Sequence, residues 1–281
     1  MAQDKSNKEL DNLGSRSDLS VGVVTVATNR YIDYWFEMAL SAERYLFLGH
    51  NVVLHVFTDR VAEVKLMALQ FSRITINVLE IDQLKWPEAT LLRYEIFDLH
   101  RDFLQQDVLM HLDADMLVVE NVGPELQPLN WPGGIALVQH PGYRRPTGRQ
   151  LASLYGHNPR KLVSDVVTTV RLGGIGNWEV DPASRAFVPR SHRKRYSCGG
   201  TWMGLREPFL SMIRELAQRV RADLDEGIIA KWHDESHLNW FAAENETGIL
   251  GSEYCYAAGL PNLVDLRPRI LAVDKGNERT R

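Results

Sequence analysis

The distribution of apolar residues predicts alternating strands and helices in the first half of the chain. Short β-branched runs, which are typical of buried strands, occupy 21–28, 51–59, 74–81, 107–119 and 134–140. Apolar side chains recur at helical spacing through 31–48 and 88–104. Alternation of this kind indicates an α/β fold with a mostly parallel sheet and helices on its faces.

The pattern after residue 177 predicts one more strand and two helices. Residues 194–205 are expected to form a strand with a tight Gly-Gly turn, and 207–227 an amphipathic helix that Gly227 ends. Another helix is predicted from Asp234, which we place near its N-cap. His233 would then lie outside that helix.

The strand predictions locate a ligand-binding edge. Ligands of open parallel sheets bind beyond the carboxyl ends of the strands. That rule selects residues 27–31, 58–59 and 113–115.

Composition excludes some classes of partner. The 281 residues are 44% hydrophobic and 24% charged, and the net charge of −4 lacks the basic excess of non-specific nucleic-acid binding. We therefore expect no nucleic-acid partner. Cys198 and Cys255 are too few for a disulfide framework and are expected to be reduced thiols in a cytosolic protein, although a single disulfide stays open.

Two segments stand apart from the rest. Residues 1–18 are polar, without a signal peptide or membrane span, and are predicted to be a disordered tail on a single catalytic domain at 19–281. We accordingly expect a cytoplasmic protein. The stretch 144–177 carries six Lys and Arg residues against Asp165 alone and is predicted to be a loop or lid with one helix. Its LGGIG sequence lacks phosphate-loop spacing.

The segment HLDADM gives the strongest chemical signal. Asp113 and Asp115 stand two apart where an apolar strand ends. Hard carboxylate oxygens suit Mg²⁺ or Mn²⁺, which bridge to substrate phosphates. Three interpretations remain: a turn with two solvated acids, a phosphatase with a nucleophilic aspartate, or a transferase that holds a nucleotide-sugar diphosphate through the ion.

The segment KWHDESHLNW raises a second question. His233 and His237 have the spacing of a zinc-protease helix, but Asp234 stands where that signature has its Glu, and the Glu comes one place later. The alternative is structural, with Asp234 as cap, Glu235 favoured by the helix dipole and both histidines bonded locally.

These segments and several others make the sequence resemble glycosyltransferase family 6. WHDESHLNWF resembles the family's W-H-D-E-S-H-L-N-K-Y segment, and HLDADM its D-V-D-M. Further similarities follow in order along the chain: VATNRY, GHNVVLHVFTD, the Arg of LLRYEI, QHPGY, YSCGGTWMG and AVDKGNERTR. The resemblance implies a glycosyltransferase A-type fold with a Rossmann-like nucleotide-binding half and an acceptor-binding half.

The resemblance also implies roles for individual residues. The uridine would be held by Val26, Ala27 and Tyr31, with Arg93 near the metal site. Asp113 and Asp115 would bind Mn²⁺, with Mg²⁺ possible in its place, and the diphosphate would be enclosed by Lys275 and Arg281. The donor sugar would be contacted by Cys198, Gly199 and Gly200, and the acceptor by His140 and Trp232. His233 and Asp234 would contact the donor sugar or the acceptor.

The implied reaction is transfer of GalNAc or galactose from a UDP-sugar to the 3-OH of a galactose-containing glycan, with retention of α configuration. Glu235 would be the nucleophile or the carboxylate that stabilises the oxocarbenium-like transition state. Gly200 leaves room for an N-acetyl group, which favours UDP-GalNAc, with a UDP-galactose-specific enzyme as the alternative. A catalytically silent glycan-binding module is a further alternative. Since vertebrate relatives carry a membrane anchor, its absence here favours a bacterial or viral member.

Overall fold

The computed structural model describes residues 19–123, 125–126, 130–144, 156, 159–172, 175–260, 263 and 265–274. The predicted tail at 1–18 lies outside this set. Within the part of the chain that the structure describes, no helix combines the length and apolar content needed to span a bilayer.

A seven-stranded mixed sheet forms the centre of the fold. Its strands are β1 (Val21–Val26), β2 (Val52–Thr58), β3 (Thr75–Glu80), β4 (Val108–Leu112), β6 (Ile135–Gln139), β7 (Ser197–Leu205) and β8 (Gly248–Leu250), in the order β3-β2-β1-β4-β7-β6-β8. Parallel pairing joins β3, β2, β1 and β4, whereas β7 runs antiparallel to both β4 and β6. A second sheet contains β5 (Met116–Val118), β9 (Tyr256–Ala257) and β10 (Ile270–Ala272). This architecture confirms the predicted α/β class with its mostly parallel sheet.

Helices cover both faces of the central sheet. The helices of the described residues are α1 (Tyr31–Tyr45), α2 (Val61–Ala68), α3 (Glu88–Leu91), α4 (Arg93–Leu99), α5 (Pro159–Leu172), α6 (Arg206–Asp225) and α7 (His233–Glu244), and α1 and α6 pack on opposite faces of the sheet. Val23 packs in a core cluster with Trp35 of α1, while Val24 belongs to a second cluster with Phe209 of α6. Neighbouring strand residues thus face opposite cores, as expected for a strand covered on both sides.

The prediction of a single helix over 88–104 is wrong. The chain forms α3, a break at Leu92 (φ −89°, ψ 0°), α4 and a 3₁₀ turn at Arg101–Phe103. Apolar spacing could not reveal the break, because Leu91 and Ile96 are buried on either side of it. The break lets Arg93 begin α4 with a buried side chain.

The prediction of a single strand over 107–119 is also wrong. β4 ends at Leu112, and Met116 N donates to Asp113 O at 3.1 Å in a turn before β5 enters the other sheet. The two aspartates therefore lie on the connection between two sheets.

The tight Gly-Gly turn predicted within 194–205 does not exist. β7 runs through Gly199 and Gly200 as a continuous strand and pairs with β4 up to Leu112 opposite Thr201. Instead, the missing side chains of the two glycines allow the side chains of Asp113, Asp234 and Glu235 to lie close to the strand backbone.

The remaining helix predictions stand with small changes. The long amphipathic helix is α6, and the basic segment contains one helix, α5, while residues 145–155, 157–158 and 173–174 of that segment lie outside the described set. The N-cap of α7 is Trp232 rather than Asp234, and His233 is its first residue with φ +48°. Asp234 does not cap the helix because its carboxylate faces Arg93.

Candidate functional site

Arg93 joins the two acidic segments that the sequence selected. Its Nη1 donates to Asp113 Oδ1 at 2.8 Å, and its Nε lies 3.3 Å from Asp234 Oδ2. Burial opposes the charge of the guanidinium, but the carboxylates of Asp113 and Asp234 raise the pKa of Arg93 above its usual range. The arginine is therefore a fixed cation between two carboxylates.

His111 completes this network from the sheet. Its Nδ1 lies 3.0 Å from Val24 O, and its Nε2 lies 2.8 Å from Arg93 Nη1. Burial lowers the pKa of His111, so the neutral ring can donate from Nδ1 to Val24 and accept at Nε2 from Arg93. Arg93 Nη1 thus contacts both His111 Nε2 and Asp113 Oδ1, which lie 3.2 Å from each other.

Glu235 lies on the other side of the strand end. Its Oε2 accepts a hydrogen bond from Gly199 N at 2.9 Å. Burial raises the pKa of Glu235 to about 7, against the lowering effects of Gly199 N and Tyr196. A carboxyl group with this pKa changes its charge near neutral pH, as expected of a group poised for chemistry.

Asp234 has a different environment from its neighbour. Burial raises its pKa to about 6, while Arg93 lowers it and Asp113 raises it. Tyr94 Oη also donates to the backbone carbonyl of Asp234 at 3.1 Å, which fixes the first turn of α7. The Asp234 carboxylate is therefore held by its ion pair, whereas Glu235 is held by a backbone amide.

The two glycines of β7 separate these groups. An added Cβ at Gly199 would lie 3.3 Å from Glu235 Cβ and 3.4 Å from Asp234 Oδ2. At Gly200 it would lie 3.1 Å from Asp113 Oδ2. Successive residues of one strand thus contact the Glu235 side and the Asp113 side.

Asp113 and Asp115 fit a divalent cation shared with a phosphate ligand. The turn holds two half-buried aspartates, and Arg93 orients Asp113 through Oδ1. Among the described residues no group of three His, Cys, Asp or Glu side chains is placed to hold a metal by itself. Two carboxylates suit Mg²⁺ or Mn²⁺, which commonly take their other ligands from water and phosphates.

The predicted uridine residues lie at the end of β1. Ala27 is buried and its N donates to Phe57 O at 2.9 Å, while Val26 and Tyr31 are half-buried. Asn29, at φ +54°, donates its N–H to Asp59 Oδ1 at 2.9 Å. The ends of β1 and β2 are thus tied together at the predicted edge of the sheet.

An aromatic group surrounds the Glu235 side of the site. His140 and Tyr143 have ring centroids 4.7 Å apart, and Tyr196 lies 5.1 Å from Tyr143 and 5.2 Å from Trp178. Burial and then Glu235 raise the pKa of Tyr196, and burial lowers the pKa of His140 to about 4. His140 is therefore a neutral ring within an aromatic wall.

His233 and Trp232 start α7 at a more exposed position. The ring of His233 lies 5.1 Å from that of Trp86, and its Nδ1 lies 3.4 Å from Thr90 Oγ1. Trp232 is 47% exposed, so its indole is accessible to a ligand. The ligand-binding roles given to His233 and Trp232 stay predictions.

His237 lies apart from His233. It is fully buried, with Nε2 3.5 Å from Asp223 Oδ2, and burial lowers its pKa to about 3. Since one imidazole faces the core and the other faces Trp86, the pair does not converge on one point. The geometry disfavours the zinc-protease alternative.

The other residues predicted to bind the donor are Cys198, Lys275 and Arg281. The side chain of Cys198 is buried, with Sγ 3.9 Å from Thr201 O, so a donor contact from this residue would come from its backbone. Lys275 and Arg281 lie outside the described residues.

The sequence interpretation missed four residues of this site. His111 had a signal, because it stands two places before Asp113 on a strand and so shares its face. Tyr196 directly precedes β7, but nothing in the pattern placed it beside Glu235. Tyr143 lies in the QHPGY segment that carries part of the resemblance, which gave it no role, and Trp178 flanks the basic segment without a local signal.

Comparison with known proteins agrees with this geometry. The family model described as "Glycosyltransferase family 6" matches residues 6–131 and 176–281. The intervening stretch, 132–175, contains α5 and all but the last two residues of the basic segment.

Named relatives match most of the chain. Histo-blood group ABO system transferase 1 of Rattus norvegicus is 25% identical over 93% of this chain and 68% of its own length. Globoside alpha-1,3-N-acetylgalactosaminyltransferase 1 of Gallus gallus is 25% identical over 97% of this chain and 72% of its own length. Alpha-1,3-galactosyltransferase 2 of Homo sapiens is 24% identical over 93% of this chain and 70% of its own length.

Proposed function

The chain belongs to glycosyltransferase family 6 and is a hexosyltransferase, and from that premise we propose that it uses a UDP-sugar to extend a galactose-containing glycan. The transferred sugar is GalNAc, with galactose as the alternative, and it joins the acceptor 3-OH in α linkage. The names of the relatives support this donor class, since they include an N-acetylgalactosaminyltransferase and a galactosyltransferase.

One observation carries the proposal. Arg93 links Asp113 at the end of β4 to Asp234 at the start of α7, and Asp234 is followed directly by Glu235. The two ends of a nucleotide-sugar need charges of opposite sign. Cations stabilise the diphosphate, and a carboxylate stabilises the positive charge near the anomeric carbon. The site offers both around a single buried arginine.

Glu235 is the group proposed to act at the anomeric carbon. As a carboxylate it either bonds to the anomeric carbon while the sugar–UDP bond breaks, or stabilises the positive charge that develops as the sugar–UDP bond breaks. The acceptor hydroxyl then bonds to the anomeric carbon and, in the first route, displaces Glu235. Gly199 N keeps Oε2 in place for either role. Asp234, paired with Arg93, is assigned to hydroxyl groups of the donor sugar together with His233.

The other residues bind the two substrates. Val26, Ala27 and Tyr31 are assigned to the uridine, and Arg93 positions Asp113. Asp113 and Asp115 would hold a divalent cation, which when bound supplies Lewis-acid stabilisation of the departing diphosphate. Lys275 and Arg281 are assigned to the same diphosphate, and His140 and Trp232 to the acceptor.

Gly200 is the basis for proposing GalNAc as the donor sugar. By the resemblance this glycine lies against the C2 substituent of the donor sugar, where a residue without a side chain leaves room for an N-acetyl group. An added Cβ would lie 3.1 Å from Asp113 Oδ2, so a larger residue would crowd this position. Because a methyl-sized difference discriminates substrates by only about 10–200-fold, galactose remains the competing donor.

The test is a transfer assay over a panel of glycans with UDP-GalNAc or UDP-galactose and Mn²⁺. We expect a product with an α-linked sugar on galactose, and no product from Glu235→Gln, which retains UDP binding. A folded Glu235→Gln variant with normal turnover would refute the role of Glu235. Binding of glycans by the wild type without UDP release would favour the silent glycan-binding module, and hydrolysis of phosphoesters independent of Glu235 would favour a phosphatase.

A further inference from the structure

Helix α5 exposes a continuous apolar stripe. Leu162, Val163, Val166 and Val167 are 39%, 62%, 52% and 58% exposed. At 100° per residue these four positions span an arc of about 140° on the helix surface. Arg160 and Ser164 are also exposed and border the stripe on its polar side.

The charge of the surrounding segment is opposite to that of the chain. Residues 144–177 contain six Lys and Arg residues and one Asp, a surplus of five positive charges, in a chain whose net charge is −4. The remainder of the chain therefore has nine more acidic than basic residues. Such asymmetry points to an anionic partner for this segment alone.

The combination selects one kind of anionic partner. A nucleic acid would use the cations but leave the Leu and Val side chains in water. An anionic membrane surface uses both, because a basic amphipathic helix lies in the interface with its apolar face among the acyl chains. At 14 residues, or roughly 21 Å, α5 is too short to span a bilayer and long enough to lie on one.

Both described ends of the segment lie beside the aromatic wall. At the first end, Arg144 directly follows Tyr143 of the aromatic wall in the sequence, and its Nη1 donates to Asp265 Oδ1 at 3.0 Å. At the other end, an added Cβ on Gly176 would lie 2.7 Å from Tyr196 Cδ2, so this glycine packs tightly against the ring. The segment therefore leaves and rejoins the fold next to the Glu235 side of the site.

We infer that α5 docks this protein on an anionic lipid bilayer, with its exposed Leu and Val side chains inserted, and that the positive charge of the 144–177 segment favours anionic headgroups. The acceptor class that fits this arrangement is a glycan attached to a lipid, a conclusion that rests on the proposed function. The docking itself does not depend on that function.

The experiment measures binding of the full chain to vesicles by co-sedimentation. Wild-type protein is expected to bind phosphatidylcholine vesicles that contain phosphatidylglycerol, with affinity falling as salt rises, and to bind pure phosphatidylcholine weakly. Val163→Asp combined with Val167→Asp should weaken binding by about tenfold or more. The matched control is Leu66→Asp with Leu69→Asp, which makes the same change at residues 70% and 81% exposed at α2 and should bind as wild type.

Several outcomes would overturn the docking. They are no preference for anionic vesicles, equal binding by the α5 variant and the wild type, or an equal loss in the α2 control. A dimer in gel filtration that the α5 variant dissociates, without vesicle binding, would assign the stripe to a second copy of the chain. UDP release with a soluble acceptor should be unchanged in both variants. Vesicle binding by a wild type that releases no UDP would defeat the proposed function and leave the docking intact.

A second assay tests the acceptor class. With the same glycan presented on anionic vesicles or free in solution, the wild type should turn over the vesicle-bound form about tenfold faster at limiting enzyme, and the α5 variant should lose this advantage. Equal rates on both forms in the wild type would contradict a lipid-attached acceptor.

Discussion

The Arg93 guanidinium lies 2.8 Å from Asp113 Oδ1, at the turn between the two sheets. The same side chain reaches Asp234 on α7 through Nε at 3.3 Å. Three elements that are distant in sequence thus meet at one buried cation. The geometry of both carboxylates depends on the planar shape of that cation as well as on its charge.

Arg93→Lys should therefore lower turnover by about 10–100-fold, because an ammonium group cannot hold Asp113, Asp234 and His111 together. Arg93→Met should also destabilise the protein by about 3–5 kcal/mol, since it leaves buried carboxylates without a counter-charge. Steady-state kinetics and thermal unfolding check both values. The control is Arg221→Lys, which alters an exposed ion pair with Glu95 and should change neither measurement appreciably. Wild-type kinetics in Arg93→Lys would contradict the role given to Arg93.

Removal of divalent cations should abolish transfer, because Asp113 and Asp115 are the residues proposed to hold the cation that stabilises the departing diphosphate. We expect activity to vanish in EDTA and to return with Mn²⁺ or Mg²⁺. Asp115→Asn should raise the Mn²⁺ concentration needed for half-maximal activity by about tenfold or more. Full turnover in EDTA would show that the reaction proceeds without a metal.

The two glycines of β7 offer a paired test. Gly200→Ala places a methyl group 3.1 Å from Asp113 Oδ2, so we expect it to raise the Mn²⁺ requirement. Gly199→Ala places one 3.3 Å from Glu235 Cβ and should instead lower turnover by about tenfold at saturating Mn²⁺. Metal titrations of both variants separate these effects. If the two variants changed the same parameter to the same degree, the assignment of one glycine to each side would be wrong.

The sequence predicted those parts of the site that depend on local pattern. The apolar strand before Asp113 located the turn, and the strand ends at Ala27 and Asp59 located the edge of the sheet, because strand length and polarity change within a few residues. The resemblance to the family supplied Arg93 and Glu235. These features need no knowledge of which elements touch.

The sequence could not predict contacts between distant elements. The pairing of Arg93 with Asp234 depends on a helix break at Leu92, which periodicity does not reveal. The place of Tyr196 beside Glu235 depends on how β7 packs against α7. The Gly199–Gly200 pair by itself predicts a turn, because glycine suits both a turn and a strand that admits close neighbours.

Glu235 should determine the acid limb of the pH–activity profile. Burial raises its pKa to about 7, and the proposed reaction needs the carboxylate, so kcat/KM is expected to rise with pH up to that value. The control is Glu246→Gln, an exposed position that should leave the profile unchanged. A profile flat between pH 5 and about pH 8 would contradict this assignment.

The same group should make stability depend on pH. A folded pKa above the unfolded value of 4.5 means that the folded state binds the proton more tightly, so this contribution is full below pH 4.5 and is lost as pH rises through about 7. Glu235→Gln lacks the titration and should gain stability relative to wild type as pH increases over that range. Thermal unfolding of both proteins at several pH values measures the difference. A difference that stays constant or reverses sign would show that Glu235 is not a buried carboxyl group.

The Tyr196 hydroxyl should tune this titration. Tyr196 lowers the pKa of Glu235, against the larger effect of burial, so Tyr196→Phe is expected to move the acid limb of kcat/KM to higher pH. Stability should fall by less than about 1.5 kcal/mol, because the substitution nearly conserves volume. Tyr45→Phe is the control: it removes the hydroxyl of an exposed tyrosine at the end of α1, outside the site, and should leave the limb in place. An unchanged limb in Tyr196→Phe would mean that the phenol does not act on the Glu235 carboxylate.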